Sequence, residues 1–462
     1  VHRHDEATEA LAEEIFAYTL NRLRLQPPPL DAPRTPGELT AAAGRCITAE
    51  GLGGHEALRR FTEVLAPACT SIDHPMYLAF VPGAPTEAAT LFDLVVSASN
   101  IYAGSWLEGA GAVHAENEAI AWLASAAGFP AAAGGTFVSG GTAGNLSALL
   151  AARWRWRHRV GGAHDRTRGI VLTSSGAHSS VAQAAQVMDV DVVLAPAEWP
   201  GRLTRQALHT AVADLDATDR ERVFAVVATG GTTNLGIIDE LDAAADTAQE
   251  LGAWCHIDAA YGGAALVAPS VRHRFSGIER ADSFIVDPHK WLFAPFDACA
   301  LVYREPDVAR AAHTQRAEYL EVLYTADVAE GRNPSDLAHH LTRRARGLPL
   351  WFSLAVHGTR AYTEAVETTL TVTRAAADAL QQQPHLELLL PPELSVVTFR
   401  RRGWTPSQYQ AWCAGELAAG TSFVMPTSFH GETVLRLCIV NPLTTLDDLT
   451  GLFDRLAWEP TP

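Results

Sequence analysis

Positive charge, paired cysteines and long apolar runs are all scarce in this 462-residue chain. Lys and Arg total 35 against 52 Asp and Glu, a formal net charge of −17 with a pI near 5.5. That balance argues against an extended nucleic-acid or anionic-membrane surface. The six cysteines, Cys46, Cys69, Cys255, Cys299, Cys413 and Cys438, are scattered. With no CxxC or Cys/His spacing, neither a metal site nor a disulfide framework is expected, and a reducing cytoplasm is the expected compartment. No stretch reaches the ~18 uninterrupted apolar residues of a membrane span, and the acidic N-terminus lacks the basic region and apolar core of a signal peptide. What the chain does have is 48% hydrophobic and 19% charged residues with no periodic Gly or Pro tract. This is the composition of a globular protein long enough for two or three packed units, and a small-molecule enzyme fits it best.

Leu11, Ile15 and Tyr18 share one helical face, and five prolines between Gln26 and Pro36 stop that helix. Residues 1–85 therefore read as a helical arm. Short β-rich runs then alternate with Ala-rich helical stretches: 136–139, 170–173, 190–194, 223–229, 254–258, 283–287 and 300–303. Such alternation predicts an α/β domain over 86–360 with a largely parallel sheet and ligands at the carboxyl ends of its strands. A helical run at 348–361 and isolated strands at 395–399 and 434–440 predict a smaller α+β domain over 361–462.

Four loops at the strand ends carry chemistry. Lys290, in Asp287-Pro288-His289-Lys290-Trp291, follows a buried strand in a chain where lysine is very scarce. Flanked by His and Trp it should be partly desolvated and lose its proton readily, as an amine must before attacking a carbonyl. Asp258 ends an apolar strand, where a carboxylate can hold a pyridinium nitrogen protonated; a helix N-cap is the alternative. Ser139 to Asn145 is Gly-rich and opens a helix expected over 146–153, where backbone N–H groups and the helix dipole suit a phosphate, although most such turns are only turns. His178 lies in a loop of small polar residues, free to stack on a flat ring or simply to be solvated. The tract Thr229 to Gly236 reaches the same rim. A phosphate turn, a stacking imidazole, an acid for a ring nitrogen and a carbonyl-binding lysine are what a pyridoxal phosphate site requires.

On these residues the sequence resembles the pyridoxal-phosphate-dependent group II amino-acid decarboxylases, the aromatic-L-amino-acid decarboxylase family. The resemblance is carried by HPMYLAF at 74–80, SGGTAGNLSALLAAR at 139–153, SSGAHSSV at 174–181, ATGGTTNLG at 228–236, HIDAAYGG at 256–263, ADSFIVDPHKWL at 281–292 and RRARGLPLWF at 343–352. It implies a fold-type I homodimer in which the arm serves dimerisation and the active sites lie at the subunit interface. It also implies Lys290 as the cofactor lysine, Asp258 as the ring-nitrogen partner and His178 as the stacking residue. Phosphate contacts fall on the backbone of Ala143 and Gly144 and on His289, with Thr233 and Ala260 as further cofactor contacts. Asp287 stands where the family has Asn, so a loop cap is as good a reading for it as a cofactor contact.

Tyr319 matches the family's proton-donating loop tyrosine, with the polar stretch 325–336 behind it as a lid. Because Tyr319 and His178 are both kept, decarboxylation to an amine is favoured over aldehyde synthesis. For substrate, the resemblance places Phe80, Val81 and Gly83 with Tyr102, Gly104 and Trp106 of the second chain around an apolar pocket for Trp, Phe or Tyr. Gly104 is expected to leave room for an indole. Arg343, Arg344 and Arg346 read as a salt-bridged or solvated face. Transamination remains a competing reading, resting on Arg436 as a carboxylate clamp; a non-catalytic scaffold does not fit the retained Lys290, Asp258 and His178.

Overall fold

The computed structural model describes residues 2, 4–160, 167–196, 200–324 and 333–457. Its contacts divide the chain into two compact units: one of residues 83–374 with 391–397, the other of 1–82 with 375–390 and 398–462. The expected three-part division is thus rearranged, since the N-terminal segment packs with the C-terminal one. The physical reason is backbone pairing distant in sequence. Leu78 N–H donates to the Phe423 carbonyl, Cys438 N–H donates to the Leu78 carbonyl, and the Tyr77 and Phe423 rings meet edge to face at 4.9 Å.

The larger unit is built on seven strands: β1 (Gly134–Val138), β2 (Ile170–Ser174), β3 (Asp191–Ala195), β4 (Val223–Thr229), β5 (Trp254–Asp258), β6 (Ser283–Val286) and β7 (Cys299–Tyr303). Their order is β1-β7-β6-β5-β4-β2-β3. The run from β6 to β3 is parallel, and β7 is antiparallel to both neighbours. β2, β4 and β5 are buried along their whole length, which is why they read as largely apolar runs. The register sets Thr229 beside Asp258 and Asp258 beside Ile285, so the carboxyl ends of three central strands come level.

The smaller unit carries a four-stranded sheet of β8 (Leu386–Leu388), β9 (Val396–Arg401), β10 (Met425–Phe429) and β11 (Glu432–Cys438) in the order β10-β11-β9-β8. Its first helix, Glu6–Leu23, is capped by Asp5, which accepts from Thr8 N–H, and buries none of its residues. Among the described residues no helix is long and apolar enough to cross a membrane.

The helix after β1 departs from expectation. It runs Gly141–Val160, five residues earlier than anticipated, so the glycine tract is its first turn rather than a loop ahead of it. Of the expected lid, residues 325–332 lie outside the described residues. The remainder is packed: Asn333 Oδ1 accepts from Trp106 N–H at 2.8 Å, Ser335 N–H donates to the Gly104 carbonyl, and Asp336 accepts from the Tyr324 hydroxyl at 2.7 Å.

Candidate active site

A cavity of about 270 Å³ opens at the carboxyl ends of β4, β5 and β6. It brings together Lys290, Asp258, His178, Thr233, Ala260 and His289, with Asp287 beneath Lys290. Each is placed by its element. Asp258 is the last residue of β5, His178 is the N-cap of helix Ser179–Met188, and Lys290 sits in the single helical turn Pro288–Trp291 that follows β6.

Lys290 is the sole lysine of the chain; every other basic residue among the 35 Lys and Arg is arginine. Its Nζ lies 2.9 Å from Asp287 Oδ2. Burial alone would pull the ammonium pKa down, but the charge and hydrogen bond of Asp287 outweigh it and hold the pKa above its ordinary value. The expectation of a lysine that sheds its proton easily is therefore corrected for this state, in which the amine is stored as an ion pair. Asp287, 2% exposed, is pushed up by burial, yet the charges of Lys290 and His289 leave its pKa below the usual carboxylate range. It makes no side-chain cap to the following turn, so the loop-cap reading fails.

The anion cradle is also shifted. Gly144 N–H donates to the Gly140 carbonyl at 3.0 Å, and a Cβ on Gly144 would lie 2.8 Å from Ile285 Cγ2 and 3.1 Å from Cys299 Sγ. This glycine serves close packing of helix on sheet and has no free N–H to offer. Neither Ala143 nor Gly144 lines the cavity; Ser139, Gly140, Gly141 and Thr142 do. The first N–H groups of that helix lack intrahelical acceptors. His289 stands across from them, its Cε1 4.0 Å from where a Gly140 Cβ would be, and its Nδ1 is engaged by the Ala298 main chain.

These residues fit pyridoxal phosphate. A helix N-terminus faces an imidazole across a space that glycines leave open, a primary amine stands opposite, and a carboxylate closes the floor. Thr229 Oγ1 and Asp287 Oδ1, both buried at the cavity, find no hydrogen-bond partner among the described residues.

Other expected residues are elsewhere. Tyr319 is 71% exposed on the turn Glu318–Tyr324 and does not line this cavity. Tyr102, Gly104, Trp106, Phe80, Val81 and Gly83 do not line it either. Gly104 leaves no room: a Cβ there would meet Tyr102 Oη at 2.5 Å and the Leu341 carbonyl oxygen at 2.7 Å. The space expected for an indole is filled by the chain's own phenol, pinned to the Leu341 carbonyl at 3.1 Å.

Gly83 has a different use. Its Cβ would lie 2.2 Å from the His289 carbonyl oxygen, so its backbone packs directly on the turn that carries Lys290. Gly83→Ala is expected to cost about 1–3 kcal/mol of stability and to weaken cofactor binding roughly tenfold by displacing that turn. A fluorescence titration with pyridoxal phosphate, set against Gly415→Ala, where a Cβ meets nothing within 4 Å, checks it; equal affinities in the two variants would defeat the assignment.

Sequence reasoning missed Asn145, Ser180, His256 and Phe296. Asn145 and Ser180 were hidden in a presumed turn and loop, and His256 in an apolar strand; Phe296, at the cavity wall, gave no signal.

Residues 53–402 match the model of the pyridoxal-dependent decarboxylase conserved domain. An aromatic-L-amino-acid decarboxylase of Bacillus atrophaeus is 31% identical over 400 residues, 84% of this chain and 81% of that one. An L-2,4-diaminobutyrate decarboxylase of Rhizobium meliloti (strain 1021) is 34% identical over 394 residues, 83% and 78% of the two chains. The crystal structure of Oryza sativa TDC with PLP and tryptamine shares the fold, with a TM-score of 0.90 over 99% of this chain and 98% of that one at 23% identity. Matched over most of its length by family model and relatives alike, the chain belongs to the pyridoxal-dependent decarboxylases and is a pyridoxal-phosphate-dependent amino-acid decarboxylase.

Proposed function

We propose that this enzyme decarboxylates an aromatic L-amino acid, of the tryptophan, phenylalanine or tyrosine type, as a cytoplasmic homodimer whose two sites each draw on both copies. The observation that carries the substrate reading is Phe80. It is 57% exposed and held at φ 52°, a conformation costly for a bulky residue, with its carbonyl accepting from Arg436 Nη1 at 2.6 Å. A strained, outward aromatic ring suits a flat substrate. The Bacillus relative's activity supports the same class, while the Rhizobium relative's name supplies the rival.

Pyridoxal phosphate, when bound, supplies an electron sink for the pair left at Cα as carbon dioxide departs. The chain's residues do the rest. Gly141 and Thr142 N–H, with Ser139 and His289, would hold the phosphate. Asp258 would keep a proton on the ring nitrogen, and His178 would stack on the ring. Asp287 Oδ2 keeps positive charge at Lys290 Nζ, and Tyr319 delivers a proton to Cα in the site of the second copy. Arg436 favours the transamination alternative only through Nε and Nη2, which find no partner among the described residues.

Feeding L-tryptophan, L-phenylalanine, L-tyrosine and L-2,4-diaminobutyrate while trapping carbon dioxide and amine decides between readings. Amine from an aromatic substrate is expected. Preference for diaminobutyrate would sink the substrate class, and keto acid or aldehyde with peroxide would sink the reaction outcome.

The dimer is supported by apolar side chains left in water. Helix Glu87–Ser99 exposes Leu91, Leu94 and Val95 at 40%, 40% and 48%, a stripe at helical spacing. Light scattering should give twice the chain mass for the native protein. Leu94→Glu should give the monomer and lose at least roughly tenfold in turnover, since a charge facing an apolar patch opposes association. An unchanged mass and rate would exclude this face.

A further inference from the structure

Behind the cavity floor runs a closed chain of hydrogen bonds that the reaction as described does not use. Trp254 Nε1 donates to Ser283 Oγ at 2.8 Å, and Ser283 Oγ meets His256 Nδ1 at 2.8 Å. His256 Nε2 meets Asn145 Oδ1 at 2.9 Å. Asn145 Nδ2 then donates to both Asp258 Oδ2 and Ser180 Oγ, each at 2.8 Å. Ser180 Oγ meets His178 Nδ1 at 2.8 Å, and Ser180 N–H donates to the same nitrogen at 3.2 Å. His256, Asn145 and Ser283 are fully buried, so no water offers a substitute partner.

Only one proton arrangement satisfies every member. An ionised Asp258 only accepts, so Asn145 must turn its amide nitrogen to it and its oxygen to His256. His256 Nε2 must then carry a proton. Trp254 is a donor only, so Ser283 accepts from it and gives its own proton to His256 Nδ1, which leaves His256 a neutral ring. Burial, opposed by the charge of Asp258, pushes the His256 pKa down to about 4, in keeping with that state. On the other branch, Ser180 accepts from Asn145 and therefore donates to His178 Nδ1, which places the His178 proton on Nε2.

We propose that His256 is a positioning residue: acting through Asn145, it fixes the orientation of Asp258 and the tautomer of His178, the two groups assigned to the cofactor ring. This rests on the reading of those two residues given above. From Trp254 through Asn145 to Asp258 and Ser180 each link is buried, so reversing one donor there would strand a polar atom at the next; the last link, from Ser180 to the exposed His178, is part-buried and takes its polarity from Ser180 Oγ and N–H together.

The test reads the tautomer directly in the cofactor-free protein by two-bond proton–nitrogen correlation on 15N-histidine, with the His178 signal assigned by its loss in His178→Gln. The native protein should show His178 and His256 both protonated at Nε2. His256→Leu should mix the His178 tautomers. His256→Gln, whose amide can still donate to Asn145 Oδ1, should restore the single form. With cofactor, the Leu variant should lose roughly 10–100-fold in kcat, as outer partners of functional groups do elsewhere, while KM stays within about threefold and the Gln variant recovers.

A His178 tautomer that is Nδ1–H in the native protein, or unmoved in the Leu variant, overturns the proposal. If the Leu variant does not fold, Ser283→Ala provides the second reading: it removes the donor to His256 Nδ1 and should mix the His256 tautomers, and an unmixed signal there counts equally against the relay. Asp258→Ala separates the two levels. Should it leave the visible spectrum of the loaded enzyme unchanged, the ring-nitrogen assignment falls; a change there with an unmoved His178 tautomer in His256→Leu removes the relay alone.

Discussion

Lys290→Ala is expected to abolish the visible absorption that pyridoxal phosphate gives the native protein and to lower decarboxylation by roughly 10⁴-fold or more, the scale of losing a covalent partner. The chain makes this an unusually clean experiment. With no second lysine anywhere in the sequence, an aldehyde cofactor has no other ε-amine to join, so borohydride reduction of the loaded native protein should label one internal peptide and of the variant none. Retention of the band or of a reducible adduct in Lys290→Ala would refute the assignment. Asp287→Asn offers a graded companion. The 2.9 Å pair raises the lysine pKa, so its removal should let Nζ lose its proton at lower pH, speeding reconstitution near neutrality while weakening the cofactor-free fold by about 1–3 kcal/mol.

Arg343→Ala should be the most destabilising of the arginine replacements in the 343–346 cluster, by about 3–5 kcal/mol. Arg343 is 4% exposed and grips Glu116, 3% exposed, through two hydrogen bonds of 2.6 and 2.8 Å. Nη1 also donates to the Ala103 carbonyl at 2.8 Å, and Gly347 N–H donates to Glu116 at 2.8 Å. Truncation leaves an ionised carboxylate in the interior with one main-chain donor, and that uncompensated charge is the source of the cost. Thermal or urea unfolding of the loaded enzyme measures it. Arg360→Ala, whose partner Glu364 and itself are 70% and 91% exposed, should change stability by less than about 0.5 kcal/mol. The pair Arg343→Met with Glu116→Leu should recover most of the loss, because no charge is then left behind. A loss below about 1 kcal/mol in Arg343→Ala would show that the pair adds little.

The sequence was most legible where burial is two-sided. β4 and β5 were bounded to the residue because strands covered on both faces are largely apolar runs closed by a polar residue, here Thr229 and Asp258. The cofactor was legible because its needs are local: Asp258 ends a strand, and Lys290 and His178 each sit shortly past one. Glycine was read less well. At Gly104 and Gly144 the missing side chain was taken as open space or a free N–H, whereas both let neighbouring atoms close in, and one sequence cannot tell these uses apart. The ion pair of Asp287 with Lys290 was overlooked because a helical turn, not a loop, follows Asp287 and brings residue i+3 back to it. Pairing of 74–80 with the C-terminal strands was out of reach, since nothing local in HPMYLAF marks so distant a partner.

The placement of β1 bears on how this protein comes together in time. Five of the strands, β2 to β6, lie beside partners met within the parallel run, but β1 pairs only with β7, joining Gly134 to Tyr303. Of the contacts in the large sheet this one closes the longest loop, and such closures come late because the chain entropy is lost before the contact is gained. The phosphate cradle begins at the carboxyl end of β1. Cofactor capture should therefore lag behind the formation of secondary structure during refolding, and the appearance of its colour would time the last closure of the sheet.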